Sequence, residues 1–271
     1  MIYTTPQRLV ELKQLKLDQN PIALWSNKAT AANVSAPNGA VALFPASNLV
    51  TGGTNERCQP VVSGGEYIVE TTETLEADAL AIDSHNIGAI GGSLYVETSD
   101  DGLTWGDSGL GEIIPENDAA IYCRLQRVTK YYRLRVVAAS QVAIGIFMVG
   151  DELIIEQRAY GGLEPPLRPN QVTAEGQVSE GGEFIGSTMV SRGSTFSLPI
   201  EYVRDTTLRS ATWLGFIDHF NEKRPFFFAW RPTKYATDVW LANNMGGAFV
   251  GQNSGPKALM GFKLEMRLRH E

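Results

Sequence analysis

Apolar and polar positions alternate along the middle of the chain. In Tyr132-Arg133-Leu134-Arg135-Val136 the apolar residues fall on one face and both arginines on the other, the pattern of a strand buried on one side. Similar short runs recur at Tyr67 to Thr71, Ala79 to Asp83, Ser93 to Thr98, Ala120 to Leu125, Tyr131 to Val137, Val142 to Val149 and Leu153 to Glu156. So many short strands predict a β-sandwich. Val142 to Val149 is apolar at nearly every position, which reads equally as a strand covered on both faces or as a contact between chains. Before residue 65 the breakers Pro21, Pro37, Gly39, Pro45, Gly52 and Pro60 predict an extended arm and irregular loops, with one helix at Pro6 to Leu17.

The pattern changes twice more. Gln157 to Gly182 is rich in Gly and Pro with few large apolar residues, the composition of a connector. Beyond it, strands are expected at Phe184 to Val190 and Thr195 to Val203. A helix follows over 206–221, with Leu208, Ala211, Leu214, Ile217 and Phe220 as its apolar stripe, Asp205 or Thr206 as its cap and Pro225 as its stop. Pro225 to Trp230 is a short aromatic strand, and Met260 to Arg269 alternates as a long one. The expected division is therefore an N-terminal arm over 1–24, a sandwich over 25–156, a connector over 157–182, and a second β-domain with one α-helix over 183–271. The fold class is mainly β.

With 23 basic and 30 acidic residues the net charge is -7, so the molecule as a whole repels nucleic-acid phosphates. No apolar stretch is long enough to span a bilayer, and Met1 to Gln19 is too interrupted by charge to be a secretory signal. Cys58 and Cys123 are too few for a disulfide framework and read as reduced structural thiols. His85, His219 and His270 have no partner at metal-ligand spacing, there is no Gly-x-Ser-x-Gly elbow, and the glycines at 88, 91 and 92 read as a turn. Asp100, Asp101, Asp107, Glu112, Glu116 and Asp118 cluster in loops. Turn-making is the first reading of them, a calcium site or a glycosidase acid pair the others. No catalytic residue, cofactor or metal is expected.

Two resemblances add to this. Ser99-Asp100-Asp101-Gly102-Leu103-Thr104-Trp105 resembles the Ser-x-Asp-Gly-x-x-Trp turn of discoidin-like, galactose-binding-like sandwiches, and Ala46-Ser47-Asn48-Leu49-Val50-Thr51-Gly52 is similar to their entry loop. The tryptophan usual after that loop is missing, with Arg57 and Cys58 near its place. Leu80 to Gly88, the helix Thr206 to Asn221, Pro225 to Trp230 and Thr237-Asp238-Val239-Trp240 together resemble minor tail proteins of tailed bacteriophages. That resemblance implies a virion component near the tail tip, a distal-tail or adaptor protein assembled in the host cytoplasm. A galactose-binding-like sandwich would be displayed outside a tail-tube-like β-domain packed in a ring. The partners it implies are other copies of the chain, other tail proteins (tube, hub, fibre) and, for the sandwich, a host surface glycan.

Interfaces favour aromatic residues, and Trp213, Phe216, Trp230, Tyr235 and Trp240 are the candidate subunit contacts. The rival readings are a carbohydrate- or receptor-binding module, with Asp101, Trp105 and His85 as its glycan contacts, and a glycoside hydrolase acting through the acidic loop.

Overall fold

The computed structural model describes residues 1–158, 163–165, 171–255 and 258–270. In chain order its elements are β1 (Ile2–Thr4), α1 (Pro6–Gln14), β2 (Ile22–Asn27), β3 (Val34–Ser35), a 3-10 turn (Ala46–Val50), β4 (Glu66–Thr71), β5 (Leu75–Asp83), β6 (Ser93–Ser99), β7 (Gly106–Asp107), β8 (Ile121–Val137) and β9 (Ile146–Ile154). They continue with β10 (Gln171–Val178), β11 (Phe184–Arg204), α2 (Asp205–Leu208), α3 (Ala211–Asn221), β12 (Phe226–Ala229), β13 (Val239–Asn244), β14 (Gln252–Gly255) and β15 (Leu259–Arg269). The fold is mainly β, as the alternation predicts. Among the described residues no helix is long and apolar enough to cross a membrane.

Unit 1 comprises residues 1–158 and 225–239. Its first sheet has the order β12-β2-β9-β5-β8-β1, antiparallel except for the parallel β1–β8 pair, and its second has the order β3-β4-β8-β6-β7. Strand β8 belongs to both. Ile121 to Lys130 pair with β5, and Tyr131 to Val137 then run between β4 and β6. Leu80, Ile82, Cys123, Phe147 and Val149 of the first sheet meet Val69, Leu94, Val96, Leu134 and Val136 of the second in one buried cluster, the core of a β-sandwich. The run Val142 to Val149 lies wholly in the buried interior, so the reading as a covered strand holds, although its strand begins only at Ile146.

Two expected boundaries change in unit 1. The residues read as an arm over 1–24 are structural: β1 pairs with β8, and α1 starts where Thr5 Oγ1 accepts the Arg8 amide and Pro6 fixes the first turn, burying Arg8 and Leu12 one turn apart. The segment 225–239 leaves the domain expected over 183–271. Phe227, Phe228 and Ala229 pair with Leu24, Ala23 and Ile22, because an all-apolar strand is stable only where both faces are covered, as they are beside β2.

Unit 2 comprises the described residues of 159–224 and 240–271. In it β10, β11 and β15 pair in that order, and β13 and β14 follow one another along the other edge of β15. Phe262, Leu264, Met266 and Leu268 are buried and Lys263, Glu265 and Arg267 exposed, as the alternation predicts. The expected connector 157–182 contains strand β10, and its residues 159–162 and 166–170 lie outside the described residues.

The single helix expected over 206–221 is two. Ser210 is extended and its hydroxyl accepts the Trp213 amide, which ends α2 and caps α3 afresh. The buried face is Trp213, Phe216 and Phe220, with His219, while Ala211 and Leu214 are exposed, because strict three-residue steps drift around a helix of 3.6 residues per turn.

Candidate assembly surface and the fate of the expected site residues

The three expected glycan contacts have separate structural duties. His85 is buried, its Nε2 bonding the Ala119 carbonyl at 3.0 Å and its Nδ1 accepting the Ile87 amide at 3.3 Å, and burial lowers its pKa so that the ring is neutral. Asp101 shapes its own turn: Oδ1 accepts from the Leu103 and Thr104 amides at 2.8 and 2.7 Å and from the Ser99 hydroxyl at 2.8 Å. Those amides hold the carboxyl well below the usual carboxylate range. Trp105 is half-buried, with the Arg133 guanidinium 3.9 Å from its ring centre. Arg133 thus covers one face of the Trp105 ring, and the His85 imidazole is hidden from solvent.

Arg133 belongs to a row of cross-strand pairs on the outer face of the second sheet. It bonds Glu70 at 2.7 Å, while Arg135 bonds Glu97 at 2.8 Å and Glu66 at 3.0 Å and lies over Tyr95. Three other acids of the expected cluster also serve locally. Asp107 accepts the Gly109 and Gly111 amides, Asp118 accepts the Ala89 amide, and Asp100 pairs with Lys130. Among the described residues no group of three or more His, Cys, Asp or Glu is placed to hold a metal. Cys58 and Cys123 are buried free thiols pushed up to about 12 by burial.

The aromatic residues expected at a subunit interface are packed within the chain. Trp213 lies edge-on to Phe216 at 5.8 Å and to Phe262 at 5.4 Å, and Trp240 contacts His270 at 6.0 Å. Trp230 stacks on Tyr235 at 5.1 Å and donates to Asp238. Trp213, Phe216, Trp230 and Trp240 are all under 9% exposed, so only Tyr235, at 36%, has surface to offer a neighbour. The expectation that these rings are completed by identical copies is overturned: folding already buries them.

Sequence reasoning missed a charge cluster on the outer side of the first sheet. Arg124 and Glu152 have fully buried side chains and pair at 2.5 Å, Arg8 of α1 reaches Asp78 at 3.1 Å and Glu152 at 3.6 Å, and Tyr122 donates to Glu152. A bulge between Ala77 and Ala79 turns Asp78 toward this cluster, where its Oδ1 also accepts the Glu152 amide at 2.6 Å. Burial, then the charge of Glu152, push the Asp78 carboxyl up to about 6. An acid raised in the folded state takes up its proton on folding, so this contribution to stability grows as pH falls from about 6 toward 4 and is lost as pH rises through 6. Asp78→Asn abolishes the dependence. Wild type is expected to gain up to about 3 kcal/mol on the variant between pH 7 and pH 4, measured by urea denaturation at each pH; a constant difference would contradict it.

Among the described residues, an exposed surface lies elsewhere. Strand β11 pairs with β15, among those residues, from Gly193 onward, so its first nine residues extend beyond that strand paired with β10, roughly 30 Å at strand rise. The turn is closed by the Ser179 amide on the Glu183 carbonyl and by Gly182 at φ 83°. Every residue from Gln171 to Thr188 whose side chain is described is exposed except Ser179 and Gly186. Phe184 and Ile185, just past the turn, are 70% and 66% exposed. An isolated two-stranded ribbon is marginal in water, and an apolar tip invites contact.

No known protein family's profile matches this chain, and no curated protein matches it. Among solved structures, it is similar to the CpGH89CBM32-4 module produced by Clostridium perfringens (11% identity, 46% of this chain and 99% of that one, TM-score 0.38). It is also similar to a putative alpha-L-fucosidase from Bacteroides thetaiotaomicron (22% identity, 52% and 31%, TM-score 0.38) and to a family 89 glycoside hydrolase from Clostridium perfringens (12% identity, 47% and 14%, TM-score 0.35). The chain thus spans under a third of the length of the two hydrolases, and likenesses of this size carry no functional argument.

Proposed function

We propose that this protein is a structural subunit that assembles with copies of itself, in the tail of a tailed bacteriophage, and that it binds rather than catalyses. The observation that carries the reading is the β10–β11 ribbon, an extension with no further strand beside it among the described residues and with the exposed Phe184 and Ile185 at its end. A monomer gains little by holding such a ribbon ordered in water, whereas a neighbouring subunit would cover its tip and add to its open edge. The likeness of the Leu80 to Gly88, Thr206 to Asn221 and Pro225 to Trp230 segments to minor tail proteins supplies the setting, with tube, hub or fibre proteins as further partners. The rival reading is a glycan-binding sandwich, in which Asp101, exposed, and Trp105, half-buried, would meet a host sugar.

The test is the oligomeric state of the wild type and of Phe184→Ser/Ile185→Ser by light scattering after gel filtration. The wild type is expected to elute as an oligomer and the double variant as a monomer with an unchanged circular dichroism spectrum. A monomeric wild type, or an oligomer indifferent to the two substitutions, would overturn the reading.

A further inference from the structure

We infer that the β10–β11 ribbon of one copy seats on the loop from Trp230 to Asp238 of the next, joining an acidic, apolar tip to a basic, aromatic loop. The inference rests on the self-assembly proposed above and adds to it the surface that receives the ribbon. A contact between unlike patches passes from copy to copy and closes into a ring where the rotation allows, whereas a patch that met only its own kind would stop at a pair.

The ribbon has one sign of charge. From Gln171 to Met189 the sequence carries Glu175, Glu180 and Glu183 and no lysine or arginine. Glu180 and Glu183 are exposed beside Phe184 and Ile185, and neither makes an ion pair among the described residues. Their turn is fixed, since the Ser179 hydroxyl accepts the Glu183 amide at 3.0 Å and the Ser179 carbonyl accepts the Gly182 amide at 2.9 Å. Two carboxylates and two apolar side chains are thus presented together, and a surface that receives them must be cationic and partly apolar.

The loop after β12 has both properties. Arg231 lies 5.1 Å from the centre of the Trp230 ring and Lys234 5.2 Å from that of Tyr235, the two rings that stack on one another. Neither cation has an acid partner among the described residues, whereas the arginine row of the second sheet is already neutralised, Arg133 by Glu70 and Arg135 by Glu66 and Glu97. Asp238, the one acid of the loop, is turned to the Trp230 indole N–H and the Thr237 hydroxyl. The turn on which the loop leans, through the Thr233 hydroxyl on the Asp18 carbonyl, carries Lys16 and Asp18 and adds no net charge. Lys234 and Tyr235 are exposed and Arg231 is half-buried, so this loop offers cations and an aromatic ring at one place. Its backbone is ordered in advance: the Arg231 carbonyl accepts the Lys234 and Tyr235 amides at 3.2 and 2.9 Å, and the Tyr235 carbonyl accepts the Asp238 amide at 3.0 Å. A partner that docks there loses little by ordering it.

The experiment reverses each charged surface and measures self-association by sedimentation, with circular dichroism checking that each variant is folded. Arg231→Glu/Lys234→Glu and Glu180→Lys/Glu183→Lys are each expected to weaken association about tenfold or more, because like charges then face each other. An equimolar mixture of the two variants is expected to assemble again, since every ribbon in it can meet a loop of opposite charge. A mixture that stays dissociated would overturn the pairing. An oligomer indifferent to Arg231→Glu/Lys234→Glu but dissolved by Phe184→Ser/Ile185→Ser would overturn this placement and leave self-assembly standing, whereas a monomeric wild type would remove both. If that indifferent oligomer also bound heparin, and lost it on Arg231→Glu/Lys234→Glu, the loop would belong to a polyanion instead of a second copy.

Discussion

Glu152→Ala is expected to destabilise unit 1 by about 3–5 kcal/mol, among the larger effects of any single substitution in the chain. Its carboxylate is the acceptor shared by Arg124, Arg8 and Tyr122, and the Arg124 side chain has no exposed surface through which water could take over. Arg124 Nε and Nη1 already lack partners, so removing Glu152 strips the guanidinium of its ion pair where charge is most costly. Replacing both members, as Arg124→Met/Glu152→Leu, leaves no orphaned charge between them and is expected to recover most of the loss. Urea denaturation of the three proteins measures it. A Glu152→Ala loss below about 1 kcal/mol, the size of a surface pair, would show that the cluster is wet.

The second large effect is Gly150→Ala. Gly150 lies in β9 between Ala79 of β5 and Asn27 of β2, and a Cβ there would stand 2.0 Å from the Ser26 carbonyl oxygen. The obstacle is backbone, and the bulge between Leu24 and Ser26 that brings it so close also sets the register of β2, on which β12 pairs. Alanine must therefore push β2 off β9, at about 3 kcal/mol or more, or prevent folding. Gly106→Ala is the control, since a Cβ there meets nothing within 4 Å and should change stability by less than about 0.5 kcal/mol. Equal melting curves for the two variants would contradict the packing of β2 on β9.

How far the fold was legible in the sequence depended on whether a residue's environment is set by its near neighbours. Tyr132, Leu134 and Val136 alternate because one flat sheet faces one core, and that pattern is visible locally. It breaks at Gln126, Arg127, Thr129 and Lys130, which made β8 look like two strands: there the strand passes from one sheet to the other and neither face is covered. The segment 225–239 returns to unit 1 because of a slot beside β2, about 200 residues earlier, and nothing local marks it. Arg8, Asp78, Arg124 and Glu152 look like ordinary surface charges until strand register brings them together, the buried-charge arrangement that composition alone cannot reveal.

The candidate sites were less legible. Aromatic residues at interfaces and in cores have the same composition, so Trp213 and Trp240 could not be assigned without knowing what covers them. The first strand of the exposed ribbon falls within 157–182, where Gly and Pro suggested a connector, although Val172, Ala174 and Val178 precede a Ser-Glu-Gly-Gly-Glu turn.

Self-assembly is tested most directly by electron microscopy of the purified protein in negative stain. Closed rings of like subunits, joined where one copy's β10–β11 ribbon meets the next, are what the account predicts. A field of dispersed single particles at every protein concentration would contradict it.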